Sequence, residues 1–172
     1  MSITLDGSNL ATVGVINSAT AQASTSGTSI DFTGIPSGTK RITVMFNGVS
    51  TNGSSLLQIQ VGSGSISTSS YVSGASYGGS AGQFSQSTTG FTLDSTAGVG
   101  ATSFFYGSVI LSAVGSNTWV AQGNIYGTIN ALVVYAIGGV SPALGGALDR
   151  IRITTVNGTD TFDAGSINIL YE

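Results

Sequence analysis

The chain has 172 residues, enough for one domain with a sizeable core, and no shift in composition along it calls for two. Charged residues make up 6% of it against about 25% in an ordinary soluble domain, so the usual coat of Lys and Glu is missing. Histidine and cysteine are both absent, which removes the commonest general base, the thiolate nucleophile and any disulfide framework.

Serine, threonine and 26 glycines must therefore solvate the exposed faces with hydroxyls, amides and bare backbone. Short neutral side chains lose little rotamer entropy on ordering and carry no ionic desolvation cost when pressed against another surface. A net charge of −3 also opposes association only weakly, so a tight oligomer is expected. Disorder is not, because 41% of the residues are hydrophobic.

Residues 1–28 are Ser, Thr, Ala and Gly with scattered Leu10, Val13, Val15 and Ile16, and are read as an N-terminal arm or attachment segment ahead of a domain at 29–172. From Ile30 the pattern becomes apolar/polar alternation of period two, the mark of half-buried strands. Pro36-Ser37-Gly38 is a turn, after which Ile42, Val44 and Phe46 alternate with Arg41, Thr43, Met45 and Asn47. Thr51-Asn52-Gly53-Ser54 is a second turn, and Leu57, Ile59 and Val61 beyond it make a hairpin the simple expectation.

Residues 62–101 set Tyr71, Tyr77, Phe84 and Phe91 singly among Ser, Gly and Thr, and are read as long loops with short strands. Order returns at Phe104, with a hairpin expected around Gly115-Ser116-Asn117 and Trp119 as a core anchor on the returning strand. The only dense apolar run, Ala131 to Ile137, is too short to cross a membrane, and Gly138, Gly139 and Pro142 would break any helix there. Residues 149–154 alternate cleanly, Asn157-Gly158 fits a type I′ turn, and Thr159 to Phe162 is expected to pair back. With no sustained 3.6 period, the prediction is an all-β, antiparallel β-sandwich of jelly-roll type with long central loops and little or no helix.

Seven carboxylates and four basic residues are left for chemistry. Asp160 and Asp163 are the one close acidic pair, but both fall in turns, where Asp bonds nearby backbone amides, so they are not read as glycosidase acids or as a Ca²⁺ site. Gly62-Ser63-Gly64-Ser65 lacks the lysine and following helix of a phosphate loop. Asn52-Gly53-Ser54 and Asn157-Gly158-Thr159 match the glycosylation sequon by chance, in turns. Four basic residues cannot supply the phosphate contacts of a nucleic-acid binder. Met1 to Asp6 shows neither the basic nor the apolar region of a signal peptide.

Lys40-Arg41 and Arg150-x-Arg152 are expected to face solvent or an interface, paired with Asp31 or Asp149. No catalytic residue, cofactor or metal ligand is predicted. Tyr71 and Tyr77, among small polar residues, have the composition of adaptable recognition loops and are the candidate surface recognition residues; plugs at the ends of the sandwich are the competing reading.

Ser29-Ile30-Asp31-Phe32-Thr33-Gly34-Ile35-Pro36, followed by Lys40-Arg41-Ile42-Thr43-Val44-Met45-Phe46-Asn47-Gly48-Val49-Ser50, resembles a module of tailed-bacteriophage and prophage tail-fibre and virion proteins. The segment from Asp149-Arg150-Ile151-Arg152 through Asn157-Gly158-Thr159-Asp160 to Ser166-Ile167-Asn168-Ile169 is similar to the close of the same module. The resemblance implies a non-enzymatic homotrimeric protein on the outer surface of the virion, made in the host cytoplasm and bound to other virion proteins. A tail-fibre role in host attachment, with a host surface glycan as a partner, is expected first. The alternative is a capsid decoration (cement) protein stabilising the head. Neither nucleic acid nor membrane insertion is expected.

Overall fold

A computed structural model describes residues 15–77, 82–95, 101–129 and 131–172. Every strand among them pairs antiparallel, and the strands form two sheets. Sheet A, of nine strands, holds β1 (Asn17–Ser18), β2 (Gln22–Ala23), β4 (Arg41–Thr51), β7 (Val72–Tyr77), β8 (Gln83–Ser87), β10 (Phe105–Gly115), β11 (Thr118–Ile129), β12 (Ala131–Val140) and β14 (Phe162–Tyr171). Its order is β1-β14-β4-β10-β11-β12-β7-β8, with β2 also on β14. Sheet B, of five strands, holds β3 (Ser29–Thr33), β5 (Leu57–Ser63), β6 (Ser65–Ile66), β9 (Phe91–Thr92) and β13 (Arg150–Thr155), in the order β3-β13-β5-β6 with β9 on β5. The molecule is an all-β antiparallel sandwich, without helix among the described residues; the strand order does not confirm jelly-roll winding.

Alternation decides which face each strand buries. In β4, Ile42, Val44 and Phe46 point inward and Arg41, Met45 and Asn47 do not; in β13, Ile151 and Ile153 point inward and Arg150 and Arg152 outward. These inward rows, with Val109 and Leu111 of β10, Ile59 and Val61 of β5, and Ile167 and Ile169 of β14, close into one core between the sheets. Trp119 lies in that core, as its sequence context predicts, and the β10–β11 hairpin forms at the expected place. Its turn residues Ser116 and Asn117 both take positive φ, 50° and 56°, the backbone shape that suits the twist of two paired strands.

The two other expected hairpins are not hairpins. β4 pairs with β10 and β14 in sheet A, whereas β5 pairs with β13 in sheet B, so residues 52–56 carry the chain from one sheet to the other. Likewise β13 leaves sheet B and β14 joins sheet A, and Gly158 alone of the Asn157-Gly158 pair has positive φ. Both connections are arches. They stack on each other through Asn52 N to Thr161 O at 2.9 Å, Thr161 N to Asn52 Oδ1 at 2.9 Å and Val156 N to Leu56 O at 2.9 Å. The physical reason is that two amphipathic strands joined by a short turn can hide their apolar rows side by side in one sheet or face to face across a core. Alternation alone does not choose between these.

Residues 1–14 of the expected arm lie outside the described residues. Residues 15–28 do not stand apart from the domain: β1 and β2 pair with β14, and Ser24 is fully buried with its hydroxyl donated to Ala164 O at 2.8 Å. Within the region read as long loops with short strands, the described residues hold the four short strands β6, β7, β8 and β9. In β14, register shifts against β4 fall on both sides of Ala164, the second at Gly165, with φ +89°, where an added Cβ would run into the carbonyl of Gly48. Ile153 is fully buried at the middle of sheet B. Ile153→Ala is expected to cost about 2–5 kcal/mol, read as a lower urea midpoint at unchanged m-value.

Candidate functional site

The sandwich leaves two outer faces, and they differ in chemistry. On sheet A the registers Ser108↔Asn124, Asn124↔Ala136, Ala136↔Ser76 and Ser76↔Phe84 put one row of small or neutral residues across β10, β11, β12, β7 and β8. A neighbouring row runs Ile110, Gln122, Gly138, Gly74, Gln86. None of these five strands contains a charged residue. Val72, Phe84 and Val134 stand out of the face at 71%, 60% and 54% exposure.

The face is relieved by two shallow depressions. One, of about 500 Å³, is walled by Val72 and Phe84 and floored by Gly74, Ala136 and Gly138. Phe84 lies across Gly74, whose added Cβ would come within 2.9 Å of the ring, while Gly138 opens onto empty space. The other, of about 510 Å³, is lined by Ser108, Ile110, Gln122 and Asn124 and shares Ala136 with the first. Tyr106 and Tyr126 sit side by side at the adjoining row, ring centroids 6.5 Å apart, with Tyr106 partly exposed.

The outer face of sheet B carries charge, but in balanced pairs. Arg152 grips Asp31 across the β13–β3 register with two bonds, Nε to Oδ1 at 2.8 Å and Nη2 to Oδ2 at 2.6 Å. Arg150 Nε donates to Asp149 Oδ1 at 2.8 Å, and Asp149 also accepts from Gly64 N at 3.1 Å. The Arg150 guanidinium, ahead of the Gly64 amide, holds the Asp149 carboxyl below the usual carboxylate range. All four side chains remain about a third exposed, so solvent screens both pairs and they contribute little to stability. Gln58 and Gln60 face outward on β5 yet are buried because Thr89 covers them: its hydroxyl donates to Gln58 Oε1 and its carbonyl accepts from Gln60 Nε2, both at 2.9 Å. Arg41 pairs with Glu172 at 3.5 Å, at the start of β4 in the other sheet.

Of the two tyrosines singled out from the sequence, Tyr71 is enclosed and Tyr77 is half-buried. Tyr71 is 1% exposed: its hydroxyl accepts from Val61 N at 2.8 Å and donates to Ser67 O at 3.0 Å, its ring meets Phe91 edge-on at 5.2 Å, and burial pushes its pKa up to about 12. Tyr77 is half-buried, its ring edge-on to Tyr135 at 5.7 Å. An isolated tyrosine between Ser and Gly looks exposed in sequence, but here each ring packs edge-on against another aromatic ring. The tyrosine pair that does face outward, Tyr106 and Tyr126, was legible only from the alternation of β10 and β11.

Asp160 organises the stacked arches, accepting from Ser55 N at 2.9 Å and Asn157 Nδ2 at 2.6 Å, while Asp163 is exposed. Among the described residues, His, Cys, Asp and Glu nowhere gather in threes. Sequence reasoning passed over Asp94, which is completely buried; its signal was a lone acid closing the apolar segment Phe91-Thr92-Leu93. Tyr71→Phe removes the acceptor of the Val61 amide inside the core and is expected to lower stability by about 1–3 kcal/mol in urea denaturation. No family model, curated protein or solved structure matches the chain.

Proposed function

We propose that the chain is a non-enzymatic structural module on the outer surface of a bacteriophage particle, a homotrimer of tail-fibre type that contacts the host surface. The sequence resemblance of residues 29–50 and 149–169 motivates the phage setting. One structural observation carries the assembly: five adjacent strands of sheet A present a broad outer face without a charged residue. A face of hydroxyls, amides, glycine and a few large apolar side chains is covered by a neighbouring protein with no ionic desolvation cost. It also presents no like charge to a second copy of itself, whereas charged interface rims govern partner choice in most assemblies.

The absence of histidine and cysteine and the engagement of Asp160 in the arches support a role in presenting surface. Surface contact with a host glycan would fall to the paired charges and amides of sheet B or to Tyr106 and Tyr126, since Tyr71 is enclosed.

Two measurements test the reading. Gold-labelled antibody against the chain should decorate the tail of intact particles; labelling spread over the head would instead make it a capsid decoration protein. Ala136→Glu places a charge at the junction of the two depressions, at an exposed position. In sedimentation velocity the parent chain should run as a trimer and the variant as a monomer, with unchanged far-UV circular dichroism and a stability change within about 1 kcal/mol. A variant that stays trimeric would remove this face from the assembly.

A further inference from the structure

Residues 91–95 form a strap that is fastened to both sheets. On the sheet B side, β9 pairs with β5 at Gln58↔Thr92 and Ile59↔Phe91, and Leu93 N donates to Leu57 O at 2.9 Å. On the sheet A side, the Ser73 hydroxyl of β7 donates to Gly90 O at 2.7 Å and accepts from Thr92 N at 3.3 Å, and the Ser85 hydroxyl of β8 donates to Asp94 O. Hydroxyls of short side chains thus hold the strap from one side, and a backbone ladder holds it from the other.

Asp94 sits in this seam with no exposure. Its Oδ2 accepts one long bond, from Leu57 N at 3.4 Å, and its Oδ1 accepts none. The Ser95 hydroxyl and the Tyr135 hydroxyl are also buried without a partner. The chain has four basic residues in all, and none serves Asp94: Arg41 pairs with Glu172, Arg150 with Asp149 and Arg152 with Asp31, while Lys40 is exposed. A carboxylate so placed has lost its water and gained neither a counter-ion nor a full set of donors, and the response of such a group is to keep its proton.

We propose that Asp94 is a proton-operated latch on the seam between the sheets: protonated, it lets the strap stay seated between β5 and the β7–β8 pair, and loss of the proton unseats it. Because the far side of β7 and β8 forms the groove at Val72, Phe84 and Gly74, the latch ties the shape of that outer face to pH. The latch stands on the geometry of the seam and does not depend on the virion assignment.

Among the described residues, the titratable groups facing the strap are Tyr135 from β12, Tyr77 from β7 against Tyr135, and Tyr71 against Phe91; β5, β8 and β9 supply none. Burial raises the Tyr71 and Tyr135 hydroxyls above the ordinary tyrosine value, and Asp94 is the carboxyl in the seam. Burial raises the Asp94 carboxyl well above the carboxylate range, against a smaller lowering by the Leu57 amide. The folded chain therefore holds a proton that the unfolded chain has already released. The contribution of Asp94 to stability is greatest below the ordinary aspartate range, falls as pH rises from there to the raised value of Asp94, and is level above it.

The test is amide hydrogen exchange at Leu93, whose N–H is bonded to Leu57 O, in the parent chain and in Asp94→Asn, which keeps the shape and cannot ionise. The ratio of parent to variant exchange rates should rise about tenfold per pH unit through the window and then level off. The carbon-13 shift of the Asp94 carboxyl in the parent chain needs no variant, and should keep its protonated value well above the pH at which exposed aspartates titrate. A rate ratio independent of pH, or a carboxyl that titrates with the exposed aspartates, would overturn the latch. Restoration of Leu93 protection at high pH by added Ca²⁺ or Na⁺ would also overturn it, since the operating ion would then be a metal.

Discussion

The structure depends on one constraint: the longer strands among the described residues have to hide their apolar rows in a single layer between two sheets. Ile42, Val44, Val109, Leu111 and Ile169 from one side and Ile59, Val61, Ile151 and Ile153 from the other fill that layer, all with at most 1% exposure. Because side chains alternate, fixing the inward row also fixes what every strand shows to the outside. The chemistry of the outer faces is thus a consequence of core packing, decided residue by residue at the alternate positions of each strand.

Those outer faces divide the labour. Sheet B carries four of the few charges, Asp31, Asp149, Arg150 and Arg152, in two pairs that cancel. Sheet A beyond β4 carries none, and exposes Phe84, Val72 and Val134 above a floor of glycine and alanine. A face of that size left to water would be unusual for a lone soluble domain, since contiguous exposed apolar patches tend to mark contact sites. The proposed role as building material draws on this asymmetry and its virion setting on the sequence resemblance, while the proposed latch at Asp94 adds a point at which solution conditions reach the same strands from the inside.

Much of the fold was legible in the sequence because alternation is a local signal. The strands around Ile42, Ile59, Val109, Ile151 and Ile167 lie where the pattern places them, Trp119 is buried, and the Ser116-Asn117 turn forms its hairpin. Partner choice was not legible. Asn52-Gly53 and Asn157-Gly158 have the composition of hairpin turns, yet both lead into arches, because the decision rests on long-range bonds such as Thr161 N to Asn52 Oδ1. The outer surfaces were partly legible: Asp31 and Asp149 were expected as partners of the basic residues, without a choice of which arginine takes which, whereas Tyr71 and Tyr77, open between recognition residues and plugs, lie in or against the core. Burial of an isolated tyrosine or of Asp94 depends on which strand passes over it, and a segment of Ser, Gly and Thr carries no periodicity from which to read that.

Hydroxyl-radical footprinting of intact particles against the isolated, diluted chain tests the central claim most directly, because it reports side chains on the uncharged face one at a time. Phe84 and Tyr106 should be protected in the particle and reactive in the diluted chain, with Tyr71 unreactive in both. Equal reactivity of Phe84 and Tyr106 in the two states would mean that nothing covers this face, and would contradict the account.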